Sequence, residues 1–327
     1  MSERTPREWR DAIRSGDRRA MARAITLLES TRDDHALLGQ EILEELVPAS
    51  GGASRVGISG PPGVGKSQFI EALGLILVED GQRVAVLAVD PSSPVTGGSI
   101  LGDKTRMEQL AVHENAFIRP SPSGGSLGGV AQRTREAMIV CEAAGFDVVL
   151  VETVGIGQSE IAVSSMVDFF LVLLQPGGGD ELQGIKKGVL ELADALVVNK
   201  ADGDTQQAAE RTRASYAGAL DLVRSPGSVW QPRVQTASAL EGVGISEIWE
   251  TIVAHREQSE ASGSLETKRR SQARAWMWAL VEEGLERSFR SHPLVQREIP
   301  DLEQDVEALK TTPAAAARAL LEAFNRS

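Results

Sequence analysis

Gly60-Pro61-Pro62-Gly63-Val64-Gly65-Lys66-Ser67 spells G-x-x-x-x-G-K-[ST]; the apolar run Val56-Gly57-Ile58 precedes it, and Phe69, Ile70, Ala72 and Leu73 follow at helical spacing. Strand, glycine-rich loop and helix in that order make a phosphate cradle: backbone N–H groups turn inward and the helix dipole adds positive charge. In this pattern Lys66 reaches the β and γ phosphates and the Ser67 hydroxyl meets Mg²⁺. Gly63, Val64, Gly65 and Gln68 complete the cradle. The chain reads as a binder of a nucleoside triphosphate.

Asn199-Lys200-Ala201-Asp202, an N-K-x-D sequence, closes the apolar run Ala195-Leu196-Val197-Val198. A carboxylate at Asp202 accepts from both guanine N1–H and N2–H₂, whereas adenine offers an acceptor at N1. GTP is therefore expected over ATP. Thr236-Ala237-Ser238-Ala239-Leu240 follows another strand-like run and resembles the S-A element that supports guanine O6, which adds Ser238 and Ala239 to the site. The bland alternative for Asn199 to Asp202 is a polar turn at the end of a strand.

From Arg55 to about His255, short apolar runs (Val84 to Val89, Phe117-Ile118, Val148 to Val151, Phe169 to Leu174, Leu196 to Val198, Val234) alternate with helical patterns. That alternation predicts an α/β fold, a P-loop NTPase with a mostly parallel central sheet flanked by helices and ligands at the strands' carboxyl ends. Residues 1–50 read as an N-terminal helical extension broken near Thr31-Arg32-Asp33-Asp34, and 51–258 as the nucleotide-binding domain. Residues 259–327 read as a C-terminal helical arm: a linker or loop from Ser259 to Ser264, then helices at 268–290, 302–310 and 313–326. Trp276, Trp278, Leu280, Leu285 and Phe289 give that arm more apolar surface than a detached helix leaves in water, which predicts a homodimer.

Composition narrows the class. A chain of 327 residues, 42% hydrophobic, can bury one large core and carry appendages. No apolar stretch approaches the ~20 residues that span a bilayer, and Met1 to Arg10 is charged with no signal-peptide core. Cys141 is the single cysteine, expected on the apolar face of a helix; with no disulfide possible, a cytoplasmic or organelle-matrix location is expected. A net charge of −12 argues against a nucleic-acid surface, which needs clustered Lys and Arg.

Acids stand at predicted strand ends. Asp90 follows Val84 to Val89, and Glu152 opens Glu152-Thr153-Val154-Gly155, a D-x-x-G-like element with Glu in place of Asp. Glu152 would hold Mg²⁺ directly or through water, and the Gly155 N–H would meet the γ-phosphate. Asp103 is a third candidate, and helix capping is the alternative role for all three. No Gln follows Gly155 directly; Gln158 stands three residues on, and Arg106, Arg119 and Arg133 are unranked charge stabilisers. Slow unaided turnover, completed by a partner, is the expectation. The glycine-rich stretches Ser121 to Gly129 and Gln175 to Lys187 read as switch loops.

The ordered set GPPGVGKS, VDPSSP, GDKTRM, RPSPSGGSLGG, VETVGIGQSE, QPGGGDELQGIKKG and NKAD, preceded by GDRRAMARAITLLES, resembles the MeaB/ArgK family of GTPases, which includes the methylmalonic aciduria type A protein. The resemblance covers nearly the whole chain. It implies a homodimeric enzyme that hydrolyses GTP with Mg²⁺, gates adenosylcobalamin delivery to methylmalonyl-CoA mutase and protects that mutase. By position it implies that Lys66 is the phosphate lysine, Asp90, Asp103 and Glu152 are metal-site acids, and Asp202 reads the base. It also implies that Gln175 to Lys187 is a third switch, in which Lys186, with Lys187 as its neighbour, couples partner binding to hydrolysis. The family usually has Thr where Gln68 stands, a difference of one neutral hydrogen bond, about 1 kcal/mol. Rival readings are a nickel-insertion GTPase, which would want clustered Cys or His, a transport-associated kinase, and a nucleotide-regulated scaffold without turnover. The four histidines, His35, His113, His255 and His292, are scattered in sequence.

Overall fold

The computed structural model describes residues 4–30, 32–89, 107–120, 127–153, 159–177, 187–223 and 229–326. Among them, seven strands form one sheet: β1 Ser54–Ser59, β2 Val84–Val89, β3 Ala116–Arg119, β4 Val148–Thr153, β5 Phe169–Leu174, β6 Ala195–Val198 and β7 Arg233–Thr236. Their order is β3-β2-β4-β1-β5-β6-β7 and every pairing is parallel. Parallel strands covered on both faces read as continuous apolar runs, and β4 and β5 are buried along their whole length. The register sets Ile58 opposite Glu152 and Val198 opposite both Leu174 and Thr236. The loops after β1, β4, β5, β6 and β7 therefore leave the sheet along one edge.

Helices α1 Pro6–Arg14, α2 Arg18–Glu29 and α3 Asp33–Leu46 precede the sheet, followed by α4 Lys66–Glu79, α5 Glu108–Val112, α6 Leu127–Ala143, α7 Ser159–Ser164, α8 Lys187–Leu192, α9 Gln206–Val223, α10 Ile245–Ala261, α11 Ser264–Ser291, α12 Pro293–Glu307 and α13 Pro313–Phe324. One core joins Phe69, Ile70, Leu73 and Leu77 of α4 and Ile245, Ile248 and Ile252 of α10 to Val56, Ile58, Leu150 and Leu171 of the sheet. A second core joins Ala85, Val149, Val151 and Phe170 to α6, and α6 in turn to Trp9, Ile13, Met21, Ile25 and Ile42. The N-terminal helices thus form a layer outside α6. Cys141 lies in this core as expected, and burial pushes its thiol far above the usual range.

Element boundaries in the helical extensions differ from the sequence expectation. The N-terminal extension breaks not only near residue 31 but also between α1 and α2, where Gly16 takes φ +84° and the Asp17 carboxylate accepts from the Arg19 and Ala20 N–H groups at 3.0 Å. A left-handed glycine followed by an Asp N-cap ends one helix and starts the next. The stretch from Ser259 to Ser264, expected as a linker or loop, is mostly helix: α10 runs to Ala261 and α11 opens at Ser264, separated by Ser262 and Gly263, with Gly263 at φ +71°. Polar composition alone did not distinguish a helix end from a loop.

At the opposite edge of the sheet, Arg269 grips Asp168 with both Nε (2.8 Å) and Nη2 (2.6 Å), and Asp168 also accepts from the Arg55 N–H at 2.9 Å. The Arg55 guanidinium in turn holds Glu142 at 2.6 and 2.9 Å. These pairs fasten the start of α11 to the amino ends of β1 and β5. The chain divides into two compact units, Met1–Arg269 and Arg270–Ser327. In the second, the Phe324 ring packs against Phe289 (centroids 5.4 Å) and His292 (5.3 Å), while Trp278 and Leu285 of α11 stay more than half exposed. The helix expected at 302–310 is the second half of α12, which starts earlier, at Pro293, and ends at Glu307, with Pro300 inside it. No helix among the described residues is long and apolar enough to cross a membrane.

Candidate functional site

β1 runs directly into the loop 60–65, and α4 starts at Lys66. The loop bends where only glycine fits. Gly65 caps α4 at φ +94°, and a Cβ there would lie 2.8 Å from Asn199 Nδ2; at Gly60 (φ +149°) a Cβ would lie 2.6 Å from the Leu173 carbonyl. The Lys66 amine turns inward and donates to the carbonyls of Gly60 (2.7 Å) and Pro61 (3.2 Å). Ser67 Oγ donates to Glu152 Oε1 at 3.0 Å. Glu152 is buried at the carboxyl end of β4, and its neighbour Thr153 donates through Oγ1 to Ser59 Oγ at 2.9 Å. Gln68 is exposed on the first turn of α4.

The second half of the site packs against the loop from the side of β6. Asn199 Nδ2 donates to the Val64 carbonyl at 2.9 Å, and Asn199 Oδ1 accepts from the Ala239 N–H at 3.1 Å. The Lys200 amine donates to the Gly63 carbonyl at 2.6 Å, with Lys200 itself at φ +60°. Asp202 Oδ2 accepts from the Ser238 hydroxyl, and that hydroxyl accepts from the Glu241 N–H at 3.1 Å. A tight turn after β7, closed by a Ser238–Val243 bridge and by Gly244 at φ +79°, holds Ser238 and Ala239 in place.

Sequence positions far apart thus converge: Gly63, Val64, Gly65, Lys66 and Ser67 meet Glu152 on one side, and Asn199, Lys200, Asp202, Ser238 and Ala239 on the other. Asp90, Asp103, Gly155 and Lys186 lie outside the described residues, as do Arg106 and Gln158; Lys187 opens α8. Arg119, one of the charge-stabiliser candidates, is instead engaged at the end of β3, where its guanidinium holds the Glu29 carboxylate and donates to Thr26 Oγ1 at 3.2 Å. Three contacts escaped sequence reasoning: the Ser59–Thr153 hydroxyl pair, the Lys200 amine on the loop, and Gln175 Nε2, which donates to the Pro62 carbonyl at 3.4 Å. Pairing of hydroxyls across β1 and β4 depends on register, which no local motif reports.

A parallel sheet with a phosphate loop between β1 and its helix, and an N-K-x-D turn after β6 laid against that loop, defines a P-loop GTPase. The family model described as methylmalonyl Co-A mutase-associated GTPase MeaB matches residues 21–293, and the chain belongs to this family. It is 57% identical to a putative GTPase of Caulobacter vibrioides over 310 residues, 95% of each chain. It is 48% identical to the mitochondrial methylmalonic aciduria type A homolog of Mus musculus over 319 residues, 94% of this chain and 77% of that one. A crystal structure titled LAO/AO transport system kinase superposes with a TM-score of 0.79 at 40% identity, covering 100% of this chain and 99% of the other.

Proposed function

We propose that this GTPase binds and hydrolyses GTP with Mg²⁺ and uses that cycle to gate adenosylcobalamin delivery to methylmalonyl-CoA mutase and to protect the mutase. The observation that carries the reading is the family match across residues 21–293 of a chain whose phosphate and base elements converge at one edge of the sheet. In this reading the backbone of the loop and Lys66 hold the triphosphate, and Asp202, supported by Ser238, reads the guanine. The amine of Lys66 leaves two neutral carbonyls for charged phosphate oxygens, a stronger class of hydrogen bond.

Ser67 Oγ and Glu152 Oε1, 3.0 Å apart, are hard oxygen donors of the kind Mg²⁺ takes. With Asp90 and Asp103 they would hold the ion, which when bound offsets charge developing on the phosphates. Lys186 is proposed to couple mutase binding to hydrolysis, with Lys187 beside it. The exposed apolar side of α11, including Trp278 and Leu285, supports a homodimer, and the single free cysteine, Cys141, supports a cytoplasmic or organelle-matrix setting.

The test is the GTPase rate with and without purified adenosylcobalamin-dependent methylmalonyl-CoA mutase, together with cofactor loading in GTP against a non-hydrolysable analogue. Acceleration of about tenfold needs only about 1.4 kcal/mol of transition-state stabilisation. No change in rate at any stoichiometry, with loading indifferent to nucleotide, rejects the partner. The 40% identity to a structure described as a transport system kinase leaves a second reading, a transport-associated kinase that transfers phosphate to a protein. Radiolabel retained on protein after exposure to γ-labelled nucleotide would establish it.

A further inference from the structure

We infer that α1, α2 and α3 line an open second binding site, distinct from the nucleotide cradle, for a small organic phosphate. A cavity of about 730 Å³ lies among these helices, within the size range of small-molecule sites. Leu27, Leu38 and Trp9 give it apolar lining. Its charge opposes that of the protein: four guanidiniums, those of Arg4, Arg19, Arg23 and Arg32, face two carboxylates in a chain of net charge −12.

Both carboxylates are already engaged. Asp17 accepts from the Arg19 and Ala20 N–H groups and lies 3.5 Å from the Arg4 guanidinium; Asp34 is held in a two-pronged contact by Arg32 at 3.0 and 2.6 Å. The Arg19 and Arg23 guanidiniums meet no carboxylate among the described residues. They stand at i and i+4 on α2, one turn apart, so their side chains leave the same face about 6 Å apart. Arg23 is further fixed over the Trp9 ring at 5.8 Å, with Arg4 over the same ring at 5.4 Å. A cation–π contact with a ring orients a guanidinium while leaving its N–H donors available. Two forks side by side suit a dianionic phosphate, which each can grip by two parallel N–H···O bonds. The adjacent apolar wall suits an organic body attached to that phosphate, which inorganic phosphate lacks.

Calorimetry on the full-length protein, saturated with GDP and Mg²⁺ so that the nucleotide cradle is filled, tests this with phenyl phosphate as probe. One saturable site is expected, with a Kd of about 0.1–1 mM, and inorganic phosphate should bind about tenfold more weakly. The double variant Arg19→Gln/Arg23→Gln should lose phenyl phosphate binding while keeping GDP affinity and melting temperature. Leu38→Glu, which leaves both arginines in place and puts a carboxylate on the apolar wall, should lose it as well. Absence of binding to the GDP-loaded wild type, equal affinity for inorganic and phenyl phosphate, or binding that survives in the double variant each overturns the site.

Discussion

Asn199 donates its side-chain amide N–H to the carbonyl of Val64 at 2.9 Å, a bond between residues 135 apart in sequence that ties the base-side loop to the phosphate loop. Asn199 is buried, and its other amide atom accepts from Ala239. Replacing it by Ala leaves a carbonyl and an N–H buried and unsatisfied, at a cost of about 1–3 kcal/mol each. Asn199→Ala should lower the melting temperature and weaken GDP binding together. Gly65→Ala, whose Cβ would meet the same amide at 2.8 Å, should weaken GDP binding too. Titration calorimetry that finds wild-type GDP affinity in both variants would show that the two loops act independently.

Asp202 supplies the acceptor proposed for guanine. Asp202→Asn presents a donor where the carboxylate accepted, so preference should move from GTP to xanthosine triphosphate. Discrimination built on buried, paired polar groups can reach about 10⁴-fold. Competition binding with GTP, XTP and ATP reads the change; equal wild-type affinity for ATP and GTP would remove Asp202 from this role.

Lys66→Ala should abolish triphosphate binding or turnover. Glu152→Ala should lower turnover by about tenfold or more, a loss of at least 1.4 kcal/mol in the transition state, and raise the Mg²⁺ concentration needed for half-maximal rate. Circular dichroism should show both variants folded. The contrast between the two lies in the metal titration, and a Glu152→Ala enzyme with an unchanged Mg²⁺ curve would assign its carboxylate to positioning Ser67 instead.

His255 sits between the rings of Phe169 and Trp230, each centred 5.0 Å away. Burial lowers its pKa below the ordinary 6.5; Lys268 reinforces the shift, while the carboxylates of Asp194 (3.9 Å) and Asp168 oppose it. The unfolded chain therefore binds more protons near and below that value. His255 contributes stability that is complete above pH 6.5 and is lost as pH falls towards the lowered folded value. Urea unfolding from about pH 7.5 to 5.5 should show wild-type stability falling more steeply than that of His255→Phe, which keeps a ring in the same place. Parallel slopes would show that His255 does not supply the dependence.

On α11, Trp278 and Leu285 are seven residues apart, two helical turns, and 56% and 59% exposed. Trp278→Glu/Leu285→Glu should turn a dimer into a monomer in light scattering while leaving GDP affinity unchanged. A wild-type chain that is already monomeric would reject the homodimer.

Local chemistry carried much of the fold and of the site. The phosphate loop is legible because its glycines are fixed by backbone conformation, as at Gly65, and the strands are legible because burial on both faces makes runs such as Val148 to Val151 apolar throughout. Asn199 and Asp202 could be named because the sequence N-K-x-D is compact. The break at Gly16 and Asp17 was less visible, since the helical spacing of apolar residues continues across it; the polar stretch at 259–264 was misleading because helix ends and loops share a composition.

By itself, then, the sequence determined the α/β class, the strands, the phosphate loop and the N-K-x-D turn, all of which follow from short-range periodicity and stereochemistry. Only the tertiary structure decided what depends on register and on contacts between distant segments. Parallel pairing sets Ser67 against Glu152, and the packing of β6 beside β5 brings Asn199 and Lys200 onto the loop at Val64 and Gly63. Arg119 could have faced the nucleotide, but the layer of N-terminal helices provides Glu29 at the end of β3 and engages it there. Such partners are chosen by proximity in three dimensions, and a buried or half-buried charge settles on whichever opposite charge the fold brings within reach.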